Sequence, residues 1–434
     1  MVRIGNESQG VGEQTTAAAN PAKIQLGTIL VLLLVYFLQV ASPLRLHPDT
    51  VTLLSEGTTV ERGGGFLFHG HPTVYPPGYP ALVAFLVHFH LAHPWALVAI
   101  NMIFLTIGLA AVYRIFDSDF AGGPPVFYVC LFSLLSFVFV KYSAIALTDT
   151  VYFGVSMSCL AVLKRTASSP FHLGRAMLGL ALVLASVCVR RVGAAMIPAF
   201  LWALLFHPDL RSLVSRLPDR VKVAGTLAAA AVAAAVGWAV FAALTMRDFS
   251  GPLRGYTAIG AAEGILNFRL RELGELAFNL PYAVFGTVVE RALPIVGALV
   301  AVLAVGGIAS RRKRFGPVEA YVVSYVAILL VYAYYDPRYW LPVFPLLIAY
   351  CGMSLGRIAK SGIGRSALTC YLLAFGAVGM VTLTVNTALS YSGRKFADLY
   401  PEYHATYCAA WHCREGFDPA KVDQDALQVL RSFR

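Results

Sequence analysis

Charged residues are scarce in this sequence, only 13% of its 434 residues. Soluble domains carry roughly twice that share, so the scarcity excludes a water-soluble globular protein. Acids are scarcer than bases, with 23 Asp and Glu against 34 Lys and Arg. The resulting +11 suits anionic partners, although an excess of Lys and Arg is also what cytoplasmic loops of membrane proteins carry. Alternating stretches of about 10 residues, the mark of a membrane β-barrel, are missing. The seven cysteines show no metal-type spacing. Five lie in apolar runs as small hydrophobes, and only Cys408 and Cys413 stand in a polar segment. No repeat of about 20–50 residues and no pair of inverted halves is visible, which weighs against a repeat-built transporter.

What the chain has instead is apolar length. It is 58% hydrophobic, with a mean hydropathy of +0.68. Runs of roughly 18 residues recur along it, each long enough to cross a hydrocarbon core of ~30 Å as a helix. The pattern predicts eleven spans, at 24–42, 95–113, 125–142, 150–163, 174–189, 192–206, 223–245, 293–308, 318–334, 340–355 and 367–388. The first is too long for the core of a signal peptide and reads as a retained anchor. Two further apolar stretches, 81–93 and 276–289, are short and interrupted by His or Pro; they read as helices lying in the interface. The fold class is an all-α polytopic membrane protein of about eleven transmembrane helices with extracytoplasmic juxtamembrane helices.

Residues 1–23 read as a disordered cytoplasmic tail, 24–389 as the transmembrane domain, and 390–434 as a short extracytoplasmic tail. Placing the N-terminus inside puts Arg114, Lys164-Arg165, Arg211–Lys222, Arg311–Arg314 and Arg357–Arg365 all on the cytoplasmic face, as the Lys/Arg bias requires. The opposite face then receives a first loop at 43–94 and an arginine-rich loop at 246–292. A loop as long as the first is usually functional.

The candidate chemistry lies on that outer face. Asp49 and Asp149 stand at the ends of predicted spans, in Pro-Asp-Thr and Thr-Asp-Thr. Each could simply cap a helix; two facing one cavity can instead act as a general base and its orienter or a metal ligand. Lys141 lies two helical turns before Asp149, a spacing that could pair them. Arg190-Arg191 and Arg338 are outer arginines suited to a bidentate grip on phosphate, with interface snorkelling and a local pair with Asp336 as the respective alternatives. His69 and His71 form a His-x-His unit without a third ligand evident for zinc. The turn Tyr75-Pro-Pro-Gly-Tyr79-Pro is rigid and positions its aromatics.

The order of these motifs, Pro-Asp-Thr after the first span, His-Pro…Tyr-Pro-Pro-Gly-Tyr-Pro, Leu-Thr-Asp-Thr-Val-Tyr-Phe and Asp-Pro-Arg-Tyr-Trp-Leu-Pro, resembles the GT-C superfamily of membrane glycosyltransferases. The similarity is greatest to the branch of protein O-mannosyltransferases, aminoarabinose transferases and RgtA/B/C/D-like bacterial enzymes, over residues 24–355. The resemblance implies that Asp49 is the catalytic carboxylate and that Asp149 is a second acid facing the site. It implies that the Pro-Pro-Gly-Tyr-Pro segment opens a juxtamembrane helix, and that Arg338, Tyr339 and Pro342 lie near a lipid phosphate. The expected function is transfer of a sugar, a hexose such as mannose, from a polyprenyl-phosphate carrier to a lipid, glycan or protein acceptor on the extracytoplasmic side of the cell membrane. No cofactor is required and a divalent metal is left open. Arg190, Arg191, Arg338 and Tyr339 are the expected phosphate site, and His69, His71, Tyr75 and Tyr79 the expected acceptor loop. The alternative is a polytopic transporter or lipid flippase. Cys408 and Cys413 pair as a disulfide if the tail meets an oxidising compartment, and stay free thiols otherwise.

Overall fold

A computed structural model of the chain describes residues 14–116, 125–209, 212, 257–281, 284, 286–358, 361–413 and 417–433. The expected span at 223–245 and the basic loop before it lie outside these residues. The architecture is all-α apart from a two-residue hairpin, β1 (Leu67–Phe68) against β2 (His71–Pro72). Among the described residues, five helical segments are long and apolar enough to cross a membrane: 23–41, 94–116, 289–310, 337–356 and 362–390. A bent pair, Val126–Leu134 with Phe137–Ser143, is a sixth if the two count as one span. The chain is therefore an integral, multi-pass helical protein, and the expected number of eleven spans is not established by it.

The first helix, α1, is Gln14–Leu38; it begins within the stretch expected to be unstructured. The loop at 43–94 is largely helical, with α2 (Pro48–Glu61) and α3 (Gly78–His88) packed together. Helix α3 overlaps the stretch 81–93, which is expected to be helical. Next come α4 (Pro94–Phe116), α5 (Val126–Leu134), α6 (Phe137–Ser143), α7 (Thr148–Ser168), α8 (Leu173–Val189) and α9 (Met196–Leu205). Helix α7 is the centre of the bundle, packed on α4, α6, α8 and α9. It carries Asp149 at its start and Arg165 in its last turn, so it falls below the apolar requirement for a span while being largely buried.

Helices α5 and α6 replace one expected span at 125–142 and meet at 56°. The break is held by Asn279, which is fully buried. Its side-chain oxygen accepts from Phe137 N at 2.7 Å, and its amide donates to the carbonyls of Leu135 (2.8 Å) and Phe375 (3.0 Å). A bent membrane helix is stable when such side chains satisfy the backbone groups the bend frees.

The polar stretch expected as an outer loop is instead α10 (Ala258–Phe278). Its buried face includes Ile265, Arg269, Glu272, Leu273, Glu275 and Leu276, a helical spacing. Three of those positions are charged, Arg269 and Glu272 being bound to each other, so the amphipathic period is hidden in the sequence. Among the described residues the expected interfacial helix at 276–289 is not one continuous helix: α10 has its C-cap at Asn279, in the left-handed conformation at φ 60°, and α11 is Thr287–Ser310. Then come α12 (Pro317–Leu329), a 3₁₀ segment Pro337–Val343 that leads into α13 (Phe344–Ile358), and the long α14 (Gly362–Ser390). Helices α1, α11 and α14 turn Leu34, Ile295 and Leu373 outward, as helices facing lipid do.

The tail is folded. It contains α15 (Phe396–Leu399), α16 (His404–Trp411) and α17 (Gln424–Ser432), with Cys408 joined to Cys413.

Candidate active site

Helix α2 starts with His47 as its N-cap and Pro48 in the first turn. The imidazole Nδ1 accepts the Asp49 backbone N–H at 3.2 Å, which leaves the Asp49 carboxylate projecting from the first turn. One of its oxygens accepts a hydrogen bond from the Tyr75 hydroxyl at 2.6 Å. The other is bound by the Arg338 guanidinium. Tyr75 is placed by the proline turn and by Thr73, whose hydroxyl accepts the Tyr75 N–H and itself donates to Glu56. A Cβ on Gly78 would lie 2.6 Å from the Cys188 carbonyl, so glycine lets α3 sit against the end of α8, two residues before Arg190.

Asp149 lies in the first turn of α7 and is 1% exposed. Its partner is Arg190, on the extended residue between α8 and the 3₁₀ segment Arg191–Ala195. This corrects the spacing argument for Lys141, which rests beside the Tyr142 ring at 5.4 Å. Gly193 is required at that turn, because a Cβ there would come within 2.3 Å of the Ser186 carbonyl. The second Asp149 oxygen is buried without a hydrogen bond and lies 3.9 Å from Arg338 Nη1.

Arg338 is thus shared among three carboxylates. Besides Asp49 and Asp149 it meets Asp336, with Nε 2.8 Å from a carboxylate oxygen. Asp336 also caps its own 3₁₀ turn by accepting the Arg338 N–H at 3.0 Å. The local pair and the long-range pair therefore coexist. Behind them stands a buried pair that spacing did not single out. Arg269 donates to Glu272 at 2.7 Å and to the carbonyls of Tyr332 and Tyr334. Glu272 in turn accepts the Asp336 N–H at 2.7 Å and the Trp340 indole N–H at 2.8 Å. The pair fastens the whole 332–340 segment. The Tyr339 ring has Arg190, Arg338 and Arg269 guanidinium carbons at 5.4, 5.4 and 5.8 Å, within reach of cation–π attraction.

These groups line one cavity of about 270 Å³. Asp49, Asp149, Arg190, Arg191, Arg338, Tyr339 and Tyr75 all face it, and Val189, Val192, Ile328 and Leu329 make it apolar elsewhere. Three guanidinium groups against two carboxylates leave the lining at +1. Burial alone would raise the Asp49 carboxyl, but Arg338, the Tyr75 hydroxyl and His47 together hold it below its ordinary value. Asp49 is still 24% exposed, an ionised oxygen within reach of a bound molecule. Burial, then Arg338, pushes the His47 imidazole down to about 4, so the cap is neutral. Burial raises Glu272 to about 7 against the pull of Arg269.

The remaining sequence candidates lie elsewhere. Tyr79 is buried in α3. His69 sits in the hairpin turn at φ 52° and meets Asp425 of the tail at 2.9 Å; His71 is exposed in β2. Among the described residues no group of three or more His, Cys, Asp or Glu is placed to hold a metal ion. His47, Glu272 and Tyr332 join the site or its support without having been marked by spacing; the Pro after His47, which fixes a helix start, was the one available signal.

Fold and site together define a multi-pass helical membrane protein with a charged, partly apolar cavity at the ends of its helices. No family model matches the chain, and no curated protein matches it. Among solved structures it is similar to ArnT from Cupriavidus metallidurans bound to undecaprenyl phosphate, at 16% identity and a TM-score of 0.46, covering 96% of this chain and 76% of that one. It is similar also to the same protein in the apo state, at 17% identity and a TM-score of 0.43 with the same coverage.

Proposed function

We propose that the protein is a membrane glycosyltransferase that moves a sugar from a polyprenyl-phosphate carrier to an acceptor hydroxyl on the extracytoplasmic face. The observation that carries this reading is the cavity itself. It joins an ionised, reachable carboxylate to a net positive lining and an apolar wall, and the motif order around it is that of the GT-C enzymes. The acceptor oxygen attacks the anomeric carbon as the bond to phosphate breaks. Its proton passes to Asp49, and the electron pair leaves with the phosphate, which Arg190 and Arg191 stabilise. Attack from the side opposite the leaving group inverts the anomeric centre. Asp149 holds Arg190 in place, and a hexose is the sugar this reading favours.

Arg338 enters the reaction through its partners. It is bound by Asp49 and Asp336, so an arriving phosphate competes with Asp49 for it. Exchange of that partner removes the closest positive charge from Asp49 and makes it a better base as the donor binds. Binding of a short-chain polyprenyl phosphate to the purified protein tests the reading. Arg190→Ala should weaken it roughly ten- to a hundredfold, the loss of one or more charge-assisted hydrogen bonds. No saturable binding to the wild type would remove the proposal. Movement of an intact lipid-linked sugar across a vesicle, without cleavage, would favour a transporter instead.

A further inference from the structure

The backbone just ahead of Asp49 is held by residues 354 to 363 positions away. Leu46 N–H donates to the Tyr407 hydroxyl at 2.9 Å, and that hydroxyl donates to the Leu44 carbonyl at 2.7 Å. The Tyr400 hydroxyl donates to the Leu46 carbonyl at 2.7 Å. Both polar groups of Leu46 are therefore satisfied by the tail, one residue before the cap of α2. Tyr407 is fully buried and is fixed by its neighbours: the Phe396 ring lies edge-on at 5.1 Å, and Cys408 is tied to Cys413 across the end of α16. Arg45, between the two held leucines, is bound to Ser42 and to Asn386 and Ser390 of α14. The far end of α2 is held by the same tail, since α17 packs on it and Asp425 meets His69.

The six-residue segment 42–47, between the 3₁₀ segment Gln39–Ala41 and α2, has no reason of its own to be rigid. Here the Leu44 carbonyl and both backbone polar groups of Leu46 have partners in the tail, and the His47 carbonyl and imidazole have partners in α2. We propose that the tail is a positioning clamp, in which Tyr407 and Tyr400, with the Cys408–Cys413 bridge behind them, set the place of Asp49 in the cavity. The role assigned to the clamp rests on Asp49 being the proton acceptor of the reaction proposed above; the clamp as a physical device does not. Tyr400, Tyr407 and the disulfide do not line the cavity, so they act through Asp49.

Hydrogen exchange of the full chain in nanodiscs tests the clamp without any substrate. In Tyr407→Phe the amides of residues 44–47 and 49 should exchange about tenfold faster, since the two hydrogen bonds of the Tyr407 hydroxyl to Leu44 and Leu46 are lost, while those of α7 stay as in the wild type. Tyr400→Phe should give a smaller increase, and it serves as the probe if Tyr407→Phe does not fold. Reduction of the disulfide should act in the same direction. Unchanged exchange at 44–49 in a folded variant overturns the clamp, whatever the activity. A second arm uses turnover of a polyprenyl-phosphate sugar: kcat should fall about tenfold in Tyr407→Phe with the donor KM unchanged. Faster exchange with wild-type kcat overturns the positioning role. If the wild type itself transfers nothing, the glycosyltransferase reading fails while the exchange result still decides the clamp.

Discussion

Asp49 is held by two donors of unequal strength, and that inequality sets what each substitution should do. The Arg338 bond is charge-assisted, worth about 1.5–3 kcal/mol, whereas a neutral bond such as that from Tyr75 contributes about 0.5–1.5 kcal/mol. Asp49→Asn keeps the shape but cannot accept the proton, so turnover should fall by roughly 10²–10⁴-fold, the usual worth of a positioned base. Tyr75→Phe should lower kcat by no more than about tenfold. Comparable losses in the two variants, measured on purified protein, would count against a proton-accepting role for Asp49. His47 allows a separate test through pH. Its imidazole is lowered to about 4 in the folded protein against an ordinary value near 6.5. The unfolded chain therefore binds the proton first, and this group's contribution is intact above about 6.5 and lost as the pH falls toward 4. His47→Asn keeps an acceptor for the cap but does not titrate. Between pH 6.5 and 4.5 it should lose less stability than the wild type, by on the order of 2 kcal/mol, read as the acid shift of the melting temperature. Equal acid shifts would show that His47 is not buried neutral.

The elements around the site depend on pins at their breaks more than on their own length. Asn279 ends α10 in a left-handed conformation and closes the bend between α5 and α6 with three hydrogen bonds. Asn279→Ala leaves buried backbone groups of Phe137 and Leu135 without partners, at roughly 1–3 kcal/mol each. Asn279→Gly relieves the backbone but not the lost bonds, so thermal stability should drop in both, somewhat less in the glycine variant. A neutral effect of the alanine change would mean the bend is held elsewhere. This pin marks where the sequence stops being readable. Asp49, Asp149, Arg190 and Arg338 were legible because an ionisable residue at the edge of an apolar run is costly and stands out. Helix α3 was legible because Pro and Gly punctuate its start. Asn279 and the Arg269–Glu272 pair were not, since their partners are mostly backbone groups about 60 to 140 residues away. Nor was α10, three of whose charges, Arg269, Glu272 and Glu275, face inward and imitate a polar loop.

For the whole molecule, the same logic separates what the bundle establishes from what it orients. All-helical architecture and membrane integration follow from apolar length, and the folded tail ties the two ends of the described chain together at Leu44–Leu46. The sidedness is a proposal that rests on the basic clusters of the sequence. A reporter fused after Arg434 should lie on the outer face and one fused at Arg312 inside; both on one side would contradict the arrangement that puts the cavity outside. The lipid content of the cell then tests the central claim most directly. In cells whose only copy carries Asp49→Asn, mass spectrometry of extracted lipids should show a polyprenyl-phosphate sugar accumulating to the level found when the protein is absent, with the wild-type copy restoring the normal pool. A lipid profile in the Asp49→Asn cells indistinguishable from wild type would contradict transfer from such a carrier by this carboxylate.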